Sequence, residues 1–423
     1  MVIDNLVLGA GISGLAYADA KKGSGENTVI FEANDYYGGL CHSFNVNGYT
    51  FDSAVHLSFT NNQEVRDVFD QTDYYAHQPI AYNYYHGAWL KHPVLNNLYP
   101  LSVKEKVTCI TSFMERDHIT DIRSYRDWLL ASYGLEFTDR FYEKYTKKYW
   151  TVNSDQMSTT WLGNRLNTPD ITKMLTGAMD EDTGNDYYAK EMRYPKGNKG
   201  YQTFLDPLIK DVNIEYKKKA VRINSKDKTV WFQDGTSYQY KNLISSIPMP
   251  ELIRIMDEVP EDIKENAKEL KASKISIVSV GFNKENIPPY LWMYIYDEDI
   301  LAARINSPSL KSKDNVPKGC GSMQFEIYHN PDAEIDHEEI VQNVKNSLLK
   351  MKLCKEEDIA FMDYRLLPYG NVIFLKDMEQ HRKAVKDYIS KTGIQLIGRF
   401  GEWEYYWSDQ SYMSGKNRAN SGQ

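Results

Sequence analysis

Hydrophobic and polar residues at the start of the chain are spaced as in a strand, a helix and a second strand. Residues 2–8 (VIDNLVL) form a short apolar run that is typical of a buried strand. A glycine-rich turn follows, and then a run of small and apolar residues, ISGLAYADAKK, which favours a helix. Residues 28–32 read as a strand again. Three elements within so few residues indicate one βαβ unit of an α/β fold.

The pattern changes over residues 62–190, where helical spacing dominates. EVRDVFD, SVKEKVTCITSFMERD, YRDWLLASYG and FTDRFYEKYTKKYW each favour a helix, whereas polar residues 178–190 favour a loop. Strand alternation returns at Asn213, where Asp234-Gly235 predicts a hairpin turn, and longer strands follow over residues 275–330. A helix is predicted at about residues 337–352, and the C-terminal tail predicts a strand, a turn and a helix.

These blocks predict a chain of several structural units, since 423 residues are too many for one typical core. We expect an α/β protein with a discontinuous Rossmann-like domain over residues 1–80, 195–272 and 372–423. A mainly helical domain, residues 81–194, and a mixed β-sheet domain, residues 273–371, interrupt it.

The net charge of −8 gives no basic footprint of the kind that nucleic-acid binding requires, so we expect no nucleic-acid partner. Cys41, Cys109, Cys320 and Cys354 show no CxxC spacing, which indicates free thiols in a reducing compartment and no metal site. No apolar run reaches the ~18–20 residues of a membrane-spanning helix. The strand pattern at residue 2 leaves no room for a signal peptide, so a cytoplasmic location is expected.

Tyrosine is unusually frequent, with 32 residues among 423. A tyrosine ring supplies apolar area and a hydroxyl group, which suits a polar ligand cleft lined by aromatic rings. Compositional drift in a chain rich in Lys, Asn and Ile accounts for the count equally well.

Residues 9–14, GAGISG, form a GxGxxG motif between the first strand and the first helix. The first glycine makes the tight turn, the second lets the backbone approach a pyrophosphate, and the third lets the helix pack on the strand. The helix N-terminus adds amide donors. Glu32 ends the second strand, where a carboxylate binds ribose hydroxyls. The predicted dinucleotide contacts here are Gly9, Gly11, Ile12, Ser13, Gly14 and Glu32.

A glycine doublet, Gly38-Gly39, followed by Leu40, distinguishes FAD from NAD at this site. The doublet resembles the extended fingerprint of the flavin amine oxidase and protoporphyrinogen oxidase superfamily, in which it lies along the FAD. Close backbone approach is again the physical reason for glycine. We therefore predict FAD as the cofactor.

Motifs along nearly the whole chain resemble those of the UDP-galactopyranose mutase family. The resemblance implies that His56 lies beside the flavin, although a histidine among apolar residues is more often a core residue. It is carried further by residues 92–97 (HPVLNN), by Tyr149-Trp150 with Met157, and by residues 398–405 (GRFGEWEY). Further FAD contacts implied by the resemblance are Tyr194, Pro195, Gly197, Val221, Gly398, Arg399, Asp409 and Gln410. Substrate contacts implied are Asn97, Trp161, Arg165, Trp292, Tyr294, Arg304 and Tyr405.

The family reaction implied by the resemblance interconverts pyranose and furanose forms of a nucleotide sugar for surface polysaccharides, such as lipopolysaccharide. N5 of reduced FAD attacks the anomeric carbon, and the nucleoside diphosphate leaves and adds back without net redox change. His56, Arg304 and Arg165 are the implied catalytic residues. The substrate would be UDP-linked, and NAD(P)H is a candidate reductant. An oligomer is compatible with the sequence.

Three departures from the family pattern concern the substrate more than the flavin: Leu95 replaces a glutamine, and Lys311 and Asn371 replace tyrosines. Trp161 and Trp292 also have an ordinary interpretation as core residues, and Arg165 as part of a salt bridge. An FAD-dependent oxidoreductase of the same fold, such as an amine oxidase or a sugar-modifying enzyme, therefore stays open as an alternative. So does an FAD-binding regulatory protein without turnover.

Overall fold

The computed structural model describes residues 2–163, 165–166, 169–181, 183 and 189–421. The strands are β1 (Val2–Leu8), β2 (Thr28–Phe31), β3 (Ser43–Val46), β4 (Tyr49–Asp52), β5 (Tyr74–His77), β6 (Tyr82–Tyr85), β7 (Ala88–Lys91), β8 (Met192–Pro195), β9 (Asn213–Glu215), β10 (Ala220–Asn224), β11 (Thr229–Phe232), β12 (Ser237–Ser245), β13 (Lys274–Phe282), β14 (Trp292–Ile295), β15 (Arg304–Asn306), β16 (Gly321–His329), β17 (Ile359–Leu367) and β18 (Gln395–Leu396). The α-helices are α1 (Ile12–Ala20), α2 (Gln63–Phe69), α3 (Val103–Met114), α4 (Tyr125–Phe137), α5 (Glu143–Trp150), α6 (Ile171–Met179), α7 (Asp206–Ile209), α8 (Met249–Ile255), α9 (Glu261–Lys268), α10 (Pro308–Lys311), α11 (His337–Lys350), α12 (Met378–Lys391), α13 (Gly398–Gly401) and α14 (Ser408–Asn420).

The first sheet has the strand order β10-β11-β12-β1-β2-β9, with β18 paired to β12. Strand β1 lies at its centre and pairs in parallel with β12 and β2. Its buried apolar side chains explain this place, because a parallel strand is covered on both faces. Helices α1 and α14 pack against each other beside this sheet. The predicted α/β fold and the predicted βαβ unit are confirmed.

The second sheet has the strand order β17-β13-β16-β15-β14-β6-β7. Two of its strands, β6 and β7, lie inside the range that the sequence predicts as mainly helical, and that expectation is wrong for residues 82–91. They form a hairpin whose turn residues, His86 and Gly87, both have positive φ. Strand β6 pairs in parallel with β14, far away in sequence. The hairpin was missed because four-residue aromatic strands show too short a pattern for periodicity to detect.

The helical region comprises α3 to α6 with a π-helical turn at Thr138–Tyr142. Helix α3 begins with a capping box in which Ser102 and Glu105 bond each other's backbone amides. The four predicted helices of residues 62–150 are present. Of the predicted loop at residues 178–190, residues 182 and 184–188 lie outside the described part of the chain.

Two general expectations concern cysteines and membrane helices. All four cysteines are unpaired, and Cys41 and Cys109 are buried. None of the helices in the described part of the chain combines the length and the apolar character that crossing a bilayer requires.

Lys148 joins the helical region to the second sheet. From α5 its Nζ donates to the carbonyl oxygens of Ile295, Asp297, Ile300 and Ala302, at 3.1, 2.5, 2.6 and 3.3 Å. Burial lowers the pKa of Lys148 to about 7, whereas neighbouring carboxylates, Asp297 first, favour the charged form. The four carbonyl dipoles favour it as well. The side chain therefore joins α5 to the end of β14 and the loop that follows it.

We expect Lys148→Met to lower the free energy of unfolding by about 2 kcal/mol, because buried acceptors lose a charged donor. Chemical denaturation followed by circular dichroism measures this change. The matched control is Lys147→Met, because Lys147 is the preceding residue on α5 and its side chain is exposed. This variant should leave the free energy of unfolding unchanged. Equal stabilities for the two variants would contradict the assigned role.

Candidate active site

One cavity of about 750 Å³ extends from the glycine-rich motif to the helical region. Its wall includes the carboxyl ends of β1 and β2, the segment after β4, helix α5 with the residue before it, and strands β14 to β16. A crevice at the carboxyl ends of parallel strands is the usual ligand site of an open α/β sheet. The cavity therefore joins a dinucleotide-type site to a second, aromatic compartment.

The glycine motif forms a cradle at one end of the cavity. Gly9 has a φ of +97°, and a Cβ on Gly14 would lie 2.1 Å from the carbonyl oxygen of Gly9. A Cβ on Gly11 would meet no atom within 4 Å, because this residue faces the open cavity. Helix α1 starts there without a side-chain cap and without an acidic residue in its first turn. Its first amides are thus directed at a site suited to a pyrophosphate.

Glu32 is held rigidly at the edge of this cradle. Its Oε2 accepts a hydrogen bond from the amide of Ala10 at 2.8 Å, and its Oε1 accepts from the amide of Asn34 at 2.9 Å. The carboxylate still contributes to the cavity wall. Because its orientation is fixed by backbone amides, it is preorganised to accept hydrogen bonds from ligand hydroxyl groups.

The glycine doublet closes the cradle from the other side. Gly38 and Gly39 have φ values of 108° and 58°, and the amide of Gly38 donates to the carbonyl of Ala10 at 2.8 Å. A Cβ on Gly39 would approach the Cα of Gly11 to 3.3 Å. Two glycine turns therefore lie side by side along one wall of the cavity.

His56 lies in the wall next to the doublet and is neutral. Its Nδ1 donates to the carbonyl oxygen of Ala54 at 2.8 Å, which leaves Nε2 unprotonated, 3.9 Å from Sγ of Cys41. Its ring stacks on Tyr201 with centroids 4.9 Å apart. Burial lowers the pKa of His56 to about 4, against the opposing effect of Asp52.

Arg304 lies in the second compartment among aromatic rings. Its Nε donates to Oε2 of Glu326 at 2.6 Å, and its Nη2 donates to the hydroxyl of Tyr328 at 2.8 Å. The guanidinium carbon is 4.9 Å from the ring centroid of Tyr149 and 5.5 Å from that of Trp292. Glu326 is fully buried, and its ion pair with Arg304 compensates the cost of burying both charges.

Two further arginines lie on Tyr405. Arg165 and Arg399 each have their guanidinium carbon 4.8 Å from its ring centroid. Arg165 donates to the carbonyls of Trp161 and Tyr405 at 2.8 and 2.7 Å. The hydroxyl of Tyr405 is 2.8 Å from that of Tyr149. Three guanidinium groups therefore lie against the rings of Tyr149 and Tyr405, whose hydroxyl groups contact each other.

Two buried donors in this wall have no hydrogen-bond partner in the described part of the chain: Nε of Arg399 and Nε1 of Trp292. Buried donors are normally satisfied, so an unpaired donor at a cavity calls for an acceptor from a ligand. Together with the excess of guanidinium groups, they make this compartment suited to an anion with several oxygen atoms.

The structure brings most of the predicted site residues together. Those that line the cavity are Gly9, Gly11, Ile12, Ser13, Glu32, Gly38, Gly39, Leu40, His56, Trp161, Arg165, Trp292, Tyr294, Arg304, Arg399 and Tyr405. Those outside its lining are Gly14, Asn97, Tyr194, Pro195, Gly197, Val221, Gly398, Asp409 and Gln410. Gly14 and Gly398 pack behind the cradle, where a Cβ would strike Gly9 and Ser13, respectively.

The remaining residues outside the lining have structural surroundings of their own. Val221 is 43% exposed on β10, and Asp409 and Gln410 line a separate small cavity at the start of α14. Asn97 is buried and donates to the carbonyl of Pro93 at 2.8 Å. The amide of Gly197 donates to Asp314, and Pro195 ends β8. Tyr194 is buried with its hydroxyl on Asp52.

The structure also shows where the three residues that depart from the family pattern lie. Leu95 is buried in the core. Asn371 lines the cavity, and its Oδ1 accepts from Nη2 of Arg399 at 2.8 Å. Lys311 lies outside the lining, in a fully buried ion pair with Asp52.

The sequence interpretation missed a group of tyrosines and one carboxylate. Tyr125, Tyr142, Tyr145, Tyr296 and Tyr328 line the second compartment. Tyr142, Tyr145 and Tyr149 follow each other at intervals of three and four residues, which places side chains on one helical face. That spacing was a signal available in the sequence. Glu326 gave none, because its importance arises from Arg304, its partner across the sheet.

Comparisons with known proteins agree with this picture. A sequence model described as an NAD(P)-binding Rossmann-like domain matches residues 7–72. The crystal structure of reduced UDP-galactopyranose mutase superposes with a TM-score of 0.93 at 22% identity, over 100% of this chain and 94% of that chain. At this identity the similarity shows the fold.

Two curated relatives have names from redox chemistry. The 1-hydroxycarotenoid 3,4-desaturase of Flavobacterium sp. (strain P99-3) is 24% identical over 86% of this chain and 85% of its own length. The all-trans-retinol 13,14-reductase of Danio rerio is 35% identical over 71 residues, and the match covers only 12% of that relative. The chain therefore has the fold of UDP-galactopyranose mutase, with a Rossmann-like domain at residues 7–72.

We expect the ring resonances of His56 to stay constant between pH 5 and 8, because its pKa is lowered to about 4 and the imidazole is neutral throughout. Nuclear magnetic resonance of protein labelled at histidine measures this, and a His56→Asn variant assigns the signal. A His56 signal that titrates near pH 6.5 would contradict the buried, neutral state.

Proposed function

We propose that the protein is a flavin-dependent nucleotide-sugar mutase that interconverts pyranose and furanose forms, as in the UDP-galactopyranose mutase family. The observation that carries the proposal is the cluster of Arg165, Arg304 and Arg399 around Tyr149 and Tyr405. It lies in the same cavity as the dinucleotide cradle. A redox enzyme acting on a neutral substrate has no need of three guanidinium groups there, whereas a diphosphate does.

The residues at the cradle fit FAD. Gly11 leaves open space against the backbone, the uncapped start of α1 provides amides, and Glu32 presents a fixed carboxylate. His56 and the glycine doublet would border the flavin portion. When bound and reduced, the flavin would supply a nucleophile for the anomeric carbon of the sugar.

The arginine cluster would bind the diphosphate before and after it leaves the sugar. Arg304 is already oriented by Glu326 and Tyr328, so its fork needs little reorganisation on binding. Arg399, held by Asn371, and Trp292 would direct their unpaired donors at diphosphate or sugar oxygens. The tyrosines and Trp161 offer aromatic surface for a nucleobase.

The neutral state of His56 suits a site that handles an anionic flavin and an anionic leaving group. A neutral Nδ1 donor fixed on Ala54 keeps the ring orientation constant without adding a charge. The nature of the sugar, a UDP group, a cytoplasmic location and a role in surface polysaccharide synthesis remain parts of this proposal, as does reduction by NAD(P)H.

An FAD-dependent oxidoreductase is the second candidate, favoured by the carotenoid desaturase relative. The part of the wall formed by Ile275, Leu366, Leu367 and Pro368 is apolar and would accept a lipophilic substrate. This candidate uses the same cradle but leaves the arginine cluster without a role.

Incubation of the dithionite-reduced protein with UDP-galactopyranose under nitrogen is expected to produce the furanose isomer, detected by chromatography and proton NMR. Oxidised protein is the control and should be inactive, because the nucleophilic N5 exists only after reduction. The mutase proposal fails if the protein converts no UDP-sugar and if no UDP-sugar perturbs the flavin spectrum. Net oxidation of an added substrate would then favour the oxidoreductase.

Arg304→Lys should weaken UDP binding by at least about tenfold, or about 1.4 kcal/mol, because lysine keeps the charge beside Glu326 but loses the bidentate fork. Isothermal titration calorimetry measures the dissociation constant. The matched control is Arg222→Lys, since Arg222 also pairs with a carboxylate and lies 4.6 Å from an aromatic centroid, but far from the cavity lining. Unchanged UDP affinity in Arg304→Lys would remove Arg304 from the site.

A further inference from the structure

Residues 53–57 form a loop segment that faces the cavity directly beside the glycine doublet. Two buried carboxylates hold it. The amide of Val55 donates to Oε1 of Glu326 at 2.9 Å. At the start of the segment stands Asp52, whose carbonyl oxygen accepts from Nε2 of Gln324 at 2.9 Å. The position of His56 thus depends on anchors that lie behind the cavity wall.

The carboxylate of Asp52 is the centre of one anchor. Its Oδ1 accepts hydrogen bonds from Oγ of Ser43, from the hydroxyl of Tyr194 and from the amide of Tyr201, at 2.8, 3.0 and 3.0 Å. Its Oδ2 accepts from Nζ of Lys311 at 3.1 Å. The carboxylate therefore ties together β3, β4, β8 and α10, with Asp52 itself in the last position of β4.

Lys311 supplies the cation of this anchor. Both charged side chains have 0% relative exposure. Burial lowers the pKa of Lys311, and Asp52 opposes that effect. A buried carboxylate left without its cation is strongly destabilised, so the carboxylate and the segment after it would have to move towards water. The space that this segment borders is the cavity.

Charge balance around His56 points the same way. His56 is affected electrostatically by Asp52, Lys311 and Glu326, and Lys311 also by Arg304. Each of the two buried carboxylates has one cation, Lys311 or Arg304. With both pairs complete, these four side chains carry no net charge; without Lys311, they carry a net negative charge close to His56.

We propose that Lys311 is a positioning residue for the cofactor, which acts through Asp52 to hold residues 53–57 against the flavin. The resemblance to the mutase family implies a substrate-binding tyrosine at this position, and the buried ion pair assigns it a different task. The inference rests on the proposed FAD binding but not on the sugar, the nucleotide or the reaction.

The test compares FAD binding and flavin properties of wild type and Lys311→Met. Apoprotein is titrated with FAD and followed by flavin fluorescence, and the absorption spectrum and midpoint potential of the loaded protein are recorded. We expect the dissociation constant to rise about tenfold and the potential to shift to a more negative value, because an uncompensated carboxylate disfavours adding an electron nearby. UDP affinity of the loaded protein should change much less.

A double-mutant cycle with Asp52→Asn tests whether Lys311 acts through Asp52. If it does, the double variant Lys311→Met with Asp52→Asn binds FAD no more weakly than Asp52→Asn alone, because the two substitutions remove the same interaction. Independent, additive losses would overturn the proposal. Each single variant leaves one buried charge unpaired, whereas the double variant buries neither, so it can be measured even where a single variant fails to fold. An FAD affinity of the double variant equal to that of wild type would also overturn the proposal.

Lys148→Met is the matched control, because it also removes a buried lysine but at the junction of α5 with the second sheet. It should lower stability and leave the FAD dissociation constant, spectrum and potential unchanged. If Lys311→Met behaves in the same way, Lys311 is only a stabilising residue and the proposal fails. If wild type itself binds no FAD, the proposed function fails first.

Discussion

The first turn of α1 is packed so closely that a side chain on any of three glycines around it would clash with backbone or with Ser13. A Cβ on Gly14 would lie 2.1 Å from the carbonyl oxygen of Gly9, one on Gly415 would lie 2.0 Å from that of Ser13, and one on Gly398 would lie 2.2 Å from Oγ of Ser13. This packing presses the C-terminal helix α14 onto the N-terminal helix. The amides of α1 can face the cavity only because α1 is fixed in this way, so the cradle depends on both ends of the chain.

Burial of charge is the second constraint, and the protein meets it with paired groups. Arg304 and Lys311 each have a buried carboxylate, whereas Arg165 and Arg399 are held by carbonyl oxygens and aromatic faces. A guanidinium bound to carbonyl groups keeps its full charge, so it can attract an anionic ligand. This difference in pairing separates the charged groups that can bind the ligand from those that hold the cavity wall in place. Arg304 belongs to both sets, because it lies in the substrate compartment and is also part of a buried ion pair. It therefore connects that compartment to the segment that carries His56.

Local signals in the sequence predicted the parts of the structure whose physics is local. The turn at Gly9, the acid at Glu32 and the doublet Gly38-Gly39 are close together in sequence. The glycines have backbone geometry that only a few residue types permit, and the carboxylate of Glu32 accepts a backbone amide of the same turn. Periodicity did not reveal the hairpin of β6 and β7 because its strands have four residues each, and its place in the second sheet depends on β14, about two hundred residues away. The resemblance implies that Val221 contacts the cofactor, but Val221 lies on β10, an edge strand of the first sheet, with an exposed side chain.

The sequence by itself determined the α/β fold, the glycine-rich cradle with Glu32 and some of the residues that line the cavity. It determined them because glycine motifs and strand periodicity act over a few neighbouring residues. Only the tertiary structure decided what the charged residues do. Lys311 and Asp52 are 259 positions apart, and nothing along the chain marks them as partners. Their roles follow from the low-dielectric interior in which β4 and α10 meet, because there a charge is tolerated only beside its opposite.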